Sequence, residues 1–319
     1  MESFCSVKLL FPSFSELRYN SYKKKQSMFK EKNVVIQLDT KTVYSFMDSL
    51  IPIKKYVQKA KELGYSHLGM MDVDNLYGAY HFLEEAESAG LQPLLGLDLS
   101  LIKAERELHL RLLALDSQGY RNLMKVSTLK MMGQKNWEDF QHLFKGLAVI
   151  VPAFDGVADL DLGLDFYVGV FPATPKQEFG RPTLPLHTVR YFDTGDLETL
   201  QMLRAIRENA SLREIGSLPN HEFLLGPDAL AGAFKETFPE SLANLEKLVR
   251  HVHYDINREL KLPRFNRERP AVEELRERSE AGLKKRGLTG KLYQERLDQE
   301  LDVIHQMGFD DYFLIVWDL

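Results

Sequence analysis

Four polar side chains come at or near the ends of predicted strands. Asp39, Asp72 and Asp98 lie near the carboxyl ends of three apolar runs, and His187 lies near the last predicted strand. In a parallel β/α barrel, the functional residues project from the carboxyl ends of the strands. The sequence therefore indicates a candidate site built from carboxylates and one histidine.

Asp72 and Asp74 are separated by one residue and allow two interpretations. Two neighbouring carboxylates can take part in general acid–base catalysis. Alternatively, Asp74 and Asn75 cap the helix that follows, because such side chains accept hydrogen bonds from the free N–H groups of a first helical turn. We favour the capping interpretation.

His251 and His253 form a further candidate. Histidines at positions i and i+2 lie on one side of a strand and can chelate a metal ion. These two follow the region of regular strand and helix alternation, away from the other candidates. We interpret them as surface or packing histidines, with metal binding as the alternative.

The elements that must position these residues alternate between strand and helix. Apolar runs predict seven strands, at residues 34–39, 67–72, 94–101, 108–115, 147–152, 166–171 and 183–189. One of the intervening helices has Pro52 in its first turn and ends at Gly64. Alternation at intervals of about 30 residues predicts βαβ units and a mainly parallel sheet. Periodicity alone does not distinguish an open sheet from a closed barrel.

After Asn209 the pattern becomes mainly helical. Helices are predicted at residues 225–238, 239–251, 272–286 and 293–307, and an extended connector at residues 260–265. The helix at 293–307 carries Leu297, Leu301 and Ile304 on one face. A dense apolar run closes the chain at residues 312–317, so we expect the natural protein to continue.

The composition predicts a cored protein without a broad nucleic-acid surface. Lys and Arg total 41 against 46 Asp and Glu, a formal charge of −5, whereas a surface that binds a phosphate backbone normally has a basic excess. The single cysteine, Cys5, excludes a disulfide framework and a cysteine-based zinc site, which suits a reducing cytosol. The first residues lack the apolar core of a signal peptide, so we expect a cytoplasmic protein.

Several segments, taken together, resemble bacterial DNA polymerase III alpha subunits of the DnaE type. Residues 306–309 (QMGF) and 312–318 (YFLIVWD) are similar to the start of that family's palm. Residues 44–48 (YSFMD) resemble the loop after the first strand of its PHP (polymerase and histidinol phosphatase) domain, and Asp72 with residues 75–78 (NLYG) resembles the second motif. Further similar segments follow in the same order, at residues 93–96, 109–114, 119–123 and 262–265.

The resemblance implies a fold and a parent activity. The fold is a PHP-type distorted seven-stranded β/α barrel, followed by the mostly helical start of a polymerase palm. The activity is template-directed DNA synthesis in DNA replication, with catalytic carboxylates that bind two Mg²⁺ ions and lie beyond Leu319. We therefore expect no catalytic residue and no cofactor in this chain, and Mg²⁺ in the full-length polymerase.

The resemblance also implies that most of the metal ring of PHP enzymes is missing here. Asp39 and Lys41 occupy the positions of the first ligand pair, and Thr188 and Arg190 those of the last. We expect a vestigial site made of Asp39, Lys41, Asp48, Asp72, Asp98, His109, Thr188 and Arg190. By the resemblance, only three positions of the metal ring keep a residue of a ligating type, and these are Asp48, Asp98 and His109. Three scattered ligands rarely hold a divalent ion.

Ion pairs are expected to fill that site in place of a metal. Lys41 would repel a divalent ion and pair with Asp39, while Arg190 would bridge to Asp48 or Asp98. The sequence thus predicts a barrel that is inactive as a metal hydrolase.

The expected organisation has four regions. They are a disordered or non-native extension at residues 1–27, a PHP domain at 28–208, a helical connector at 209–265, and a truncated palm start at 266–319. Expected partners are the rest of the polymerase chain and replication proteins such as a sliding clamp or a proofreading exonuclease. DNA would be bound only through the full-length protein, and no membrane is involved.

Two other functions stay open at this point. One is a PHP-family metal-dependent phosphoesterase or 3′–5′ exonuclease, which the missing ligands and the palm-like tail disfavour. The other is a stand-alone binding module for replication proteins.

Overall fold

The computed structural model describes residues 36–254, 256 and 263–319. The chain forms two compact units, which divide between Asp255 and Ile256. The predicted extension at residues 1–27, and residues 260–262 of the predicted connector, lie outside the described residues. The predicted domain borders at residues 208 and 265 stay predictions.

A sheet of seven strands forms the centre of the first unit. The strands lie side by side in the sheet in the same order as in the chain. They are β1 (Ile36–Gln37), β2 (His67–Val73), β3 (Gln92–Lys103), β4 (Arg106–Ala114), β5 (Leu147–Pro152), β6 (Tyr167–Val170) and β7 (Thr183–Pro185). β4 is antiparallel to β3 and β5, and the other neighbours are parallel, so the mainly parallel sheet is confirmed. The β3–β4 hairpin turns through Ala104 and Glu105, whose positive φ values of 47° and 64° match the twist of the two strands.

The sheet closes on itself through the residues that follow its two edge strands. Thr40, after β1, and Val189, after β7, form an isolated parallel bridge. Its backbone hydrogen bonds run from Lys41 N to Val189 O and from Val189 N to Asp39 O, both at 2.9 Å. The fold is therefore a distorted β/α barrel. The strand predicted at residues 183–189 is shorter in the structure and covers residues 183–185. Further along the chain, its pairing continues as the single bridge at Val189.

Eight helices are described in the first unit. They are α1 (Ile53–Leu63), α2 (Ala79–Ala89), α3 (Ser117–Met131), α4 (Trp137–Phe140), α5 (Leu197–Glu208), α6 (Leu212–Ile215), α7 (Pro227–Lys235) and α8 (Pro239–Val249). As the sequence predicts, α1 follows Pro52 and ends at Gly64, where a φ of 88° suits glycine. Its apolar face is buried, and the Tyr56 hydroxyl donates to the carbonyl of Gly69 in β2 at 3.0 Å.

The prediction that Asp74 and Asn75 cap α2 is wrong. The N-cap residue is Gly78, which has no side chain to accept a hydrogen bond. Asp74 adopts a φ of 58°, so the chain turns before the helix begins. Asn75 Oδ1 accepts from the N–H of Tyr77 at 3.1 Å within that turn, and Asp74 Oδ1 lies 3.4 Å from Lys130 Nζ. Asn75 therefore stabilises the turn, whereas the Asp74 side chain pairs with Lys130 in α3.

Most described residues of the helical connector predicted at residues 209–265 belong to the first unit. The Asn244 side chain in α8 donates to the carbonyl of Thr183 in β7 at 3.1 Å. The Tyr254 hydroxyl donates to the carbonyl of Pro93 and accepts from the N–H of Leu95, both at 2.9 Å. These bonds attach the segment to strands at two separate places.

The second unit is helical. It contains α9 (Ala271–Lys285), α10 (Lys291–Gln306) and α11 (Asp310–Asp318). Leu275, Leu301 and Leu314, one from each helix, form its buried core, and Leu297 and Ile304 pack against it. The predicted apolar face of α10 is confirmed. Within the described ranges, no helix of the chain is long and apolar enough to cross a membrane.

Gly69 in β2 is a position that accepts no side chain. An added Cβ would lie 1.9 Å from the carbonyl oxygen of Leu38. We expect Gly69→Ala to push β1 and β2 apart and to lower the free energy of unfolding by about 2 kcal/mol or more. Gly232→Ala is the matched control, because nothing lies within 4 Å of its added Cβ and the interior of α7 favours alanine. Urea unfolding measures both variants, and equal stability would contradict the close approach of the strands.

Candidate functional site

Three strands or strand ends bring two carboxylates and two cations together in the barrel. Asp39 and Lys41 follow β1, Asp98 lies in β3, and Arg111 lies in β4. Asp98 and Arg111 are directly opposed in the antiparallel β3–β4 ladder, which sets the register of the two side chains. We call Asp39, Lys41, Asp98 and Arg111 the charge cluster.

Each charge of the cluster has two partners of opposite sign. Lys41 Nζ pairs with Asp39 Oδ1 and lies 3.0 Å from Asp98 Oδ2. Arg111 Nε lies 3.3 Å from Asp39 Oδ2, and its Nη1 pairs with Asp98 Oδ1. The hydroxyl of Thr188, after β7, donates to Asp39 Oδ2 at 2.7 Å. The cluster therefore contains two positive and two negative charges and is neutral.

Burial makes this neutrality necessary. The side chains of Asp39 and Lys41 are 0% exposed, and those of Asp98 and Arg111 are 13% and 9% exposed. Burial alone would raise the pKa of Asp39, but the charges of Lys41 and Arg111 outweigh it and hold the pKa well below its usual value. Burial would lower the pKa of Arg111, yet Asp39 and Asp98 raise it overall. Asp39 and Arg111 are thus ionised at neutral pH.

The same charges oppose a divalent cation. A 2+ ion about 4 Å from the Lys41 ammonium would be repelled by roughly 8 kcal/mol at an effective dielectric constant near 20. In the described part of the chain, no group of three or more His, Cys, Asp or Glu side chains is arranged to hold a metal. The residues at this end of the barrel do not fit a metal centre, and its metal-free state stays a prediction.

Asp72 orders the loop that follows β1. It accepts hydrogen bonds from the N–H and hydroxyl of Thr42, each at 2.6 Å, and from the hydroxyl of Ser45 at 2.7 Å. Burial raises its pKa, and these hydrogen bonds only partly offset that effect. The carboxylate is occupied by loop contacts, so the arrangement favours a positioning role over acid–base catalysis.

Asp48 forms a second group of ion pairs with arginines. Arg190 Nη1 pairs with Asp48 Oδ2, while Arg204 Nε and Arg207 Nη1 in α5 lie 2.8 Å and 3.3 Å from Asp48 Oδ1. Arg190 Nε also lies 3.1 Å from Glu222 Oε2. The expected bridge from Arg190 therefore reaches Asp48, and Arg204 and Arg207 connect the loop after β1 to α5.

The four candidate histidines hydrogen-bond to groups outside the charge cluster. His109 is exposed and its Nδ1 is hydrogen-bonded to Ser100 Oγ at 2.8 Å, although it shares a face of β4 with Arg111. His187 is buried, with Nε2 at 2.8 Å from the carbonyl of Phe223. His251 is exposed, and its Nδ1 lies 2.9 Å from the carbonyl oxygen of Lys247. His253 is exposed, and its backbone N–H donates to the carbonyl of Leu115 at 2.9 Å.

Sequence analysis missed the residue that completes the cluster. Arg111 lies within a segment used for the family resemblance, yet the neighbouring His109 drew attention because histidine is a metal ligand. A cationic residue in the middle of an apolar strand was the available signal, since charged side chains are rarely buried without a partner. Arg204, Arg207 and Glu222 were missed as well, because only the tertiary fold brings them to Asp48.

Removing one cation of the cluster should destabilise the folded barrel, because the buried carboxylates then lack one of their partners. We expect Lys41→Met to lower the free energy of unfolding by about 3–5 kcal/mol, since it leaves a buried negative charge without compensation. Urea unfolding followed by the fluorescence of buried Trp137, in a Trp317→Phe background, would report the barrel alone. Arg207→Met is the control, because this half-exposed arginine shares Asp48 with two others, and it should cost less than about 1 kcal/mol. Equal losses in the two variants would contradict the role assigned to the cluster.

Comparison with known families and proteins agrees with the geometry. The PHP domain family matches residues 37–174, and the bacterial DNA polymerase III alpha NTPase domain family matches residues 273–319. DNA polymerase III subunit alpha of Streptococcus pyogenes serotype M1 is 47% identical over 285 residues, which are 89% of this chain and 28% of that protein. The corresponding subunit of Bacillus subtilis is 27% identical, over 89% of this chain and 29% of the relative.

Similarity to solved structures is weaker. A two-domain protein from Bacteroides vulgatus containing a predicted PHP-like metal-dependent phosphoesterase covers 69% of this chain and 63% of its own, with 11% identity and a TM-score of 0.33. An amidohydrolase from Chromobacterium violaceum covers 56% and 84%, with 11% identity and a TM-score of 0.30.

The sequence matches are what establish the family. They span both units of the chain in the expected order, although the chain spans less than a third of the length of the curated relatives it matches. With its PHP barrel and the following helical unit, the chain belongs to the bacterial DNA polymerase III alpha-subunit family and matches the amino-terminal region of those proteins.

Proposed function

We propose that these residues serve a replicative DNA polymerase as a metal-free structural and interaction scaffold. The 47% identity to a DNA polymerase III alpha subunit supports template-directed DNA synthesis as the activity of the whole protein. The charge cluster supports the scaffold role, because it fills with ion pairs the place where the resemblance expects metal ligands.

The single observation that carries this proposal is the position of Lys41. Its ammonium is fully buried between Asp39 and Asp98. Metal-assisted hydrolysis requires a Lewis acid that polarises the substrate or activates water. Both carboxylates are paired with Lys41 and Arg111, and among the described residues no group of three or more His, Cys, Asp or Glu side chains is arranged to hold such an ion.

A structural role follows from what the ion pairs connect. The charge cluster ties the residues after β1 to β3 and β4, and Thr188 adds the residues after β7. The pairs around Asp48 add α5. Carboxyl-end loops that would otherwise move independently are thereby held in one arrangement, which is what a rigid interaction surface needs.

The polymerase chemistry belongs elsewhere in the whole protein. By the family resemblance, its carboxylates and Mg²⁺ ions lie beyond Leu319, and we assign no catalytic residue to this chain. We propose the rest of the polymerase chain as the first partner, and a sliding clamp or proofreading exonuclease as further partners. DNA would be bound through the full-length protein, in the cytoplasm.

Metal analysis combined with hydrolysis assays tests the scaffold function. After purification with added Mn²⁺ or Zn²⁺, we expect metal well below one equivalent per chain. We also expect no hydrolysis of p-nitrophenyl phosphate or of a labelled primer from its 3′ end, since no Lewis acid is bound.

Variants make the same test specific to the barrel. His109→Ala should leave both assays unchanged, as should the control His142→Ala at another exposed histidine. One tightly bound equivalent of Zn²⁺ or Mn²⁺, with hydrolysis lost in His109→Ala but kept in His142→Ala, would instead establish a metal-dependent phosphoesterase or 3′–5′ exonuclease.

A further inference from the structure

A cavity of about 400 Å³ lies between the closing seam of the barrel and the helices α7 and α8. Ile36, Gln37 and His187 line it on the side of the seam. Apolar side chains of the two helices, among them Leu230 and Phe234, line the other side. A volume of this size and an apolar lining with a few polar groups are typical of small-molecule sites.

The polar groups on the seam side offer acceptors. Gln37 Nε2 donates to the carbonyl oxygens of His187 at 2.8 Å and of Asp39 at 3.3 Å. This fixes the orientation of the amide, and Gln37 Oε1 is buried without a hydrogen-bond partner among the described residues. A buried acceptor of this kind is destabilising unless a donor reaches it.

His187 adds a second acceptor. Its Nε2 lies 2.8 Å from the carbonyl oxygen of Phe223, which can only accept, so Nε2 carries the proton. Burial lowers the pKa of His187, which keeps the ring neutral at neutral pH. In that tautomer Nδ1 is a lone-pair acceptor.

The charges around the cavity are negative. Asp228 and Glu246 are part of the lining, which contains no lysine or arginine. Arg250 pairs with Glu246, whereas Asp228 forms no ion pair within the described part of the chain. Acceptors together with Asp228, an exposed carboxylate in the first turn of α7, favour a ligand that donates hydrogen bonds and is positively charged.

We propose that this cavity binds a small protonated amine with an apolar body, whose N–H groups reach Gln37 Oε1 and whose charge is attracted by Asp228. The apolar body packs against Leu230 and Phe234. This site is separate from the charge cluster, and the inference does not depend on the proposed function.

Isothermal titration of the full chain with a matched ligand series tests the proposal. Benzylammonium, benzyl alcohol and benzoate share one apolar ring and differ in the group that would meet Gln37. We expect benzylammonium to bind about tenfold more tightly than benzyl alcohol, because hydrogen bonds made by a charged donor are the stronger ones. Benzoate should not bind. Equal affinity for the three ligands, or no saturable binding of benzylammonium, would overturn the proposal.

Two substitutions on exposed positions locate the binding. Ala231→Trp, on the exposed surface of α7 at the cavity lining, should fill the space and abolish binding without unfolding the chain. Asp228→Asn should weaken binding about threefold, and the control Asp159→Asn, an exposed carboxylate outside the lining, should leave it unchanged. Undiminished binding in Ala231→Trp would show adsorption elsewhere on the surface and would also overturn the proposal.

Discussion

Mutual neutralisation of four buried charges is the constraint on which the carboxyl end of the barrel depends. Folding buries all four charged side chains of the charge cluster, and each loses hydration worth several kcal/mol. Their pairing offsets this loss only while all four are in place. Such a cluster adds little net stability compared with apolar residues of similar size, but it penalises every arrangement that leaves one charge alone. It therefore specifies how the strands meet more than it strengthens them.

The closure of the barrel and the loops above it follow from the same pairing. Thr40, which forms the bridge with Val189, lies between Asp39 and Lys41 in the sequence, and Thr188 precedes Val189. The closed seam therefore holds the Thr188 hydroxyl against Asp39. The loop after β1 is then fixed twice, by Asp72 and by the arginines around Asp48. Side chains of opposite charge thus connect these loops to the strands and to α5.

Local patterns in the sequence predicted the parts of this structure that depend on neighbouring residues. The end of α1 at Gly64 and the α10 face with Leu301 are of this kind, whereas the pairing of Asp39 with Lys41 was expected from the family resemblance. The partner of Arg111 could not be found this way, because Asp98 opposes it only through the register of an antiparallel hairpin inside a mainly parallel sheet. The cap of α2 failed for a related reason. Asp74 and Asn75 have the residue types of a helix cap, but the chain turns at Asp74, in the left-handed region, and their side chains contact other groups.

The stability of the barrel with and without a divalent ion tests the central claim most directly. In a Trp317→Phe background, the fluorescence of Trp137 would follow urea unfolding in millimolar MnCl₂, in EDTA, and in NaCl of matched ionic strength. If the charge cluster stands in place of a metal, the free energy of unfolding should be the same in MnCl₂ and in the matched NaCl. A metal bound to the folded barrel would instead stabilise it by about 2.7 kcal/mol at roughly 100 times its Kd, and such an increase, absent in EDTA, would contradict a barrel held by its own ion pairs.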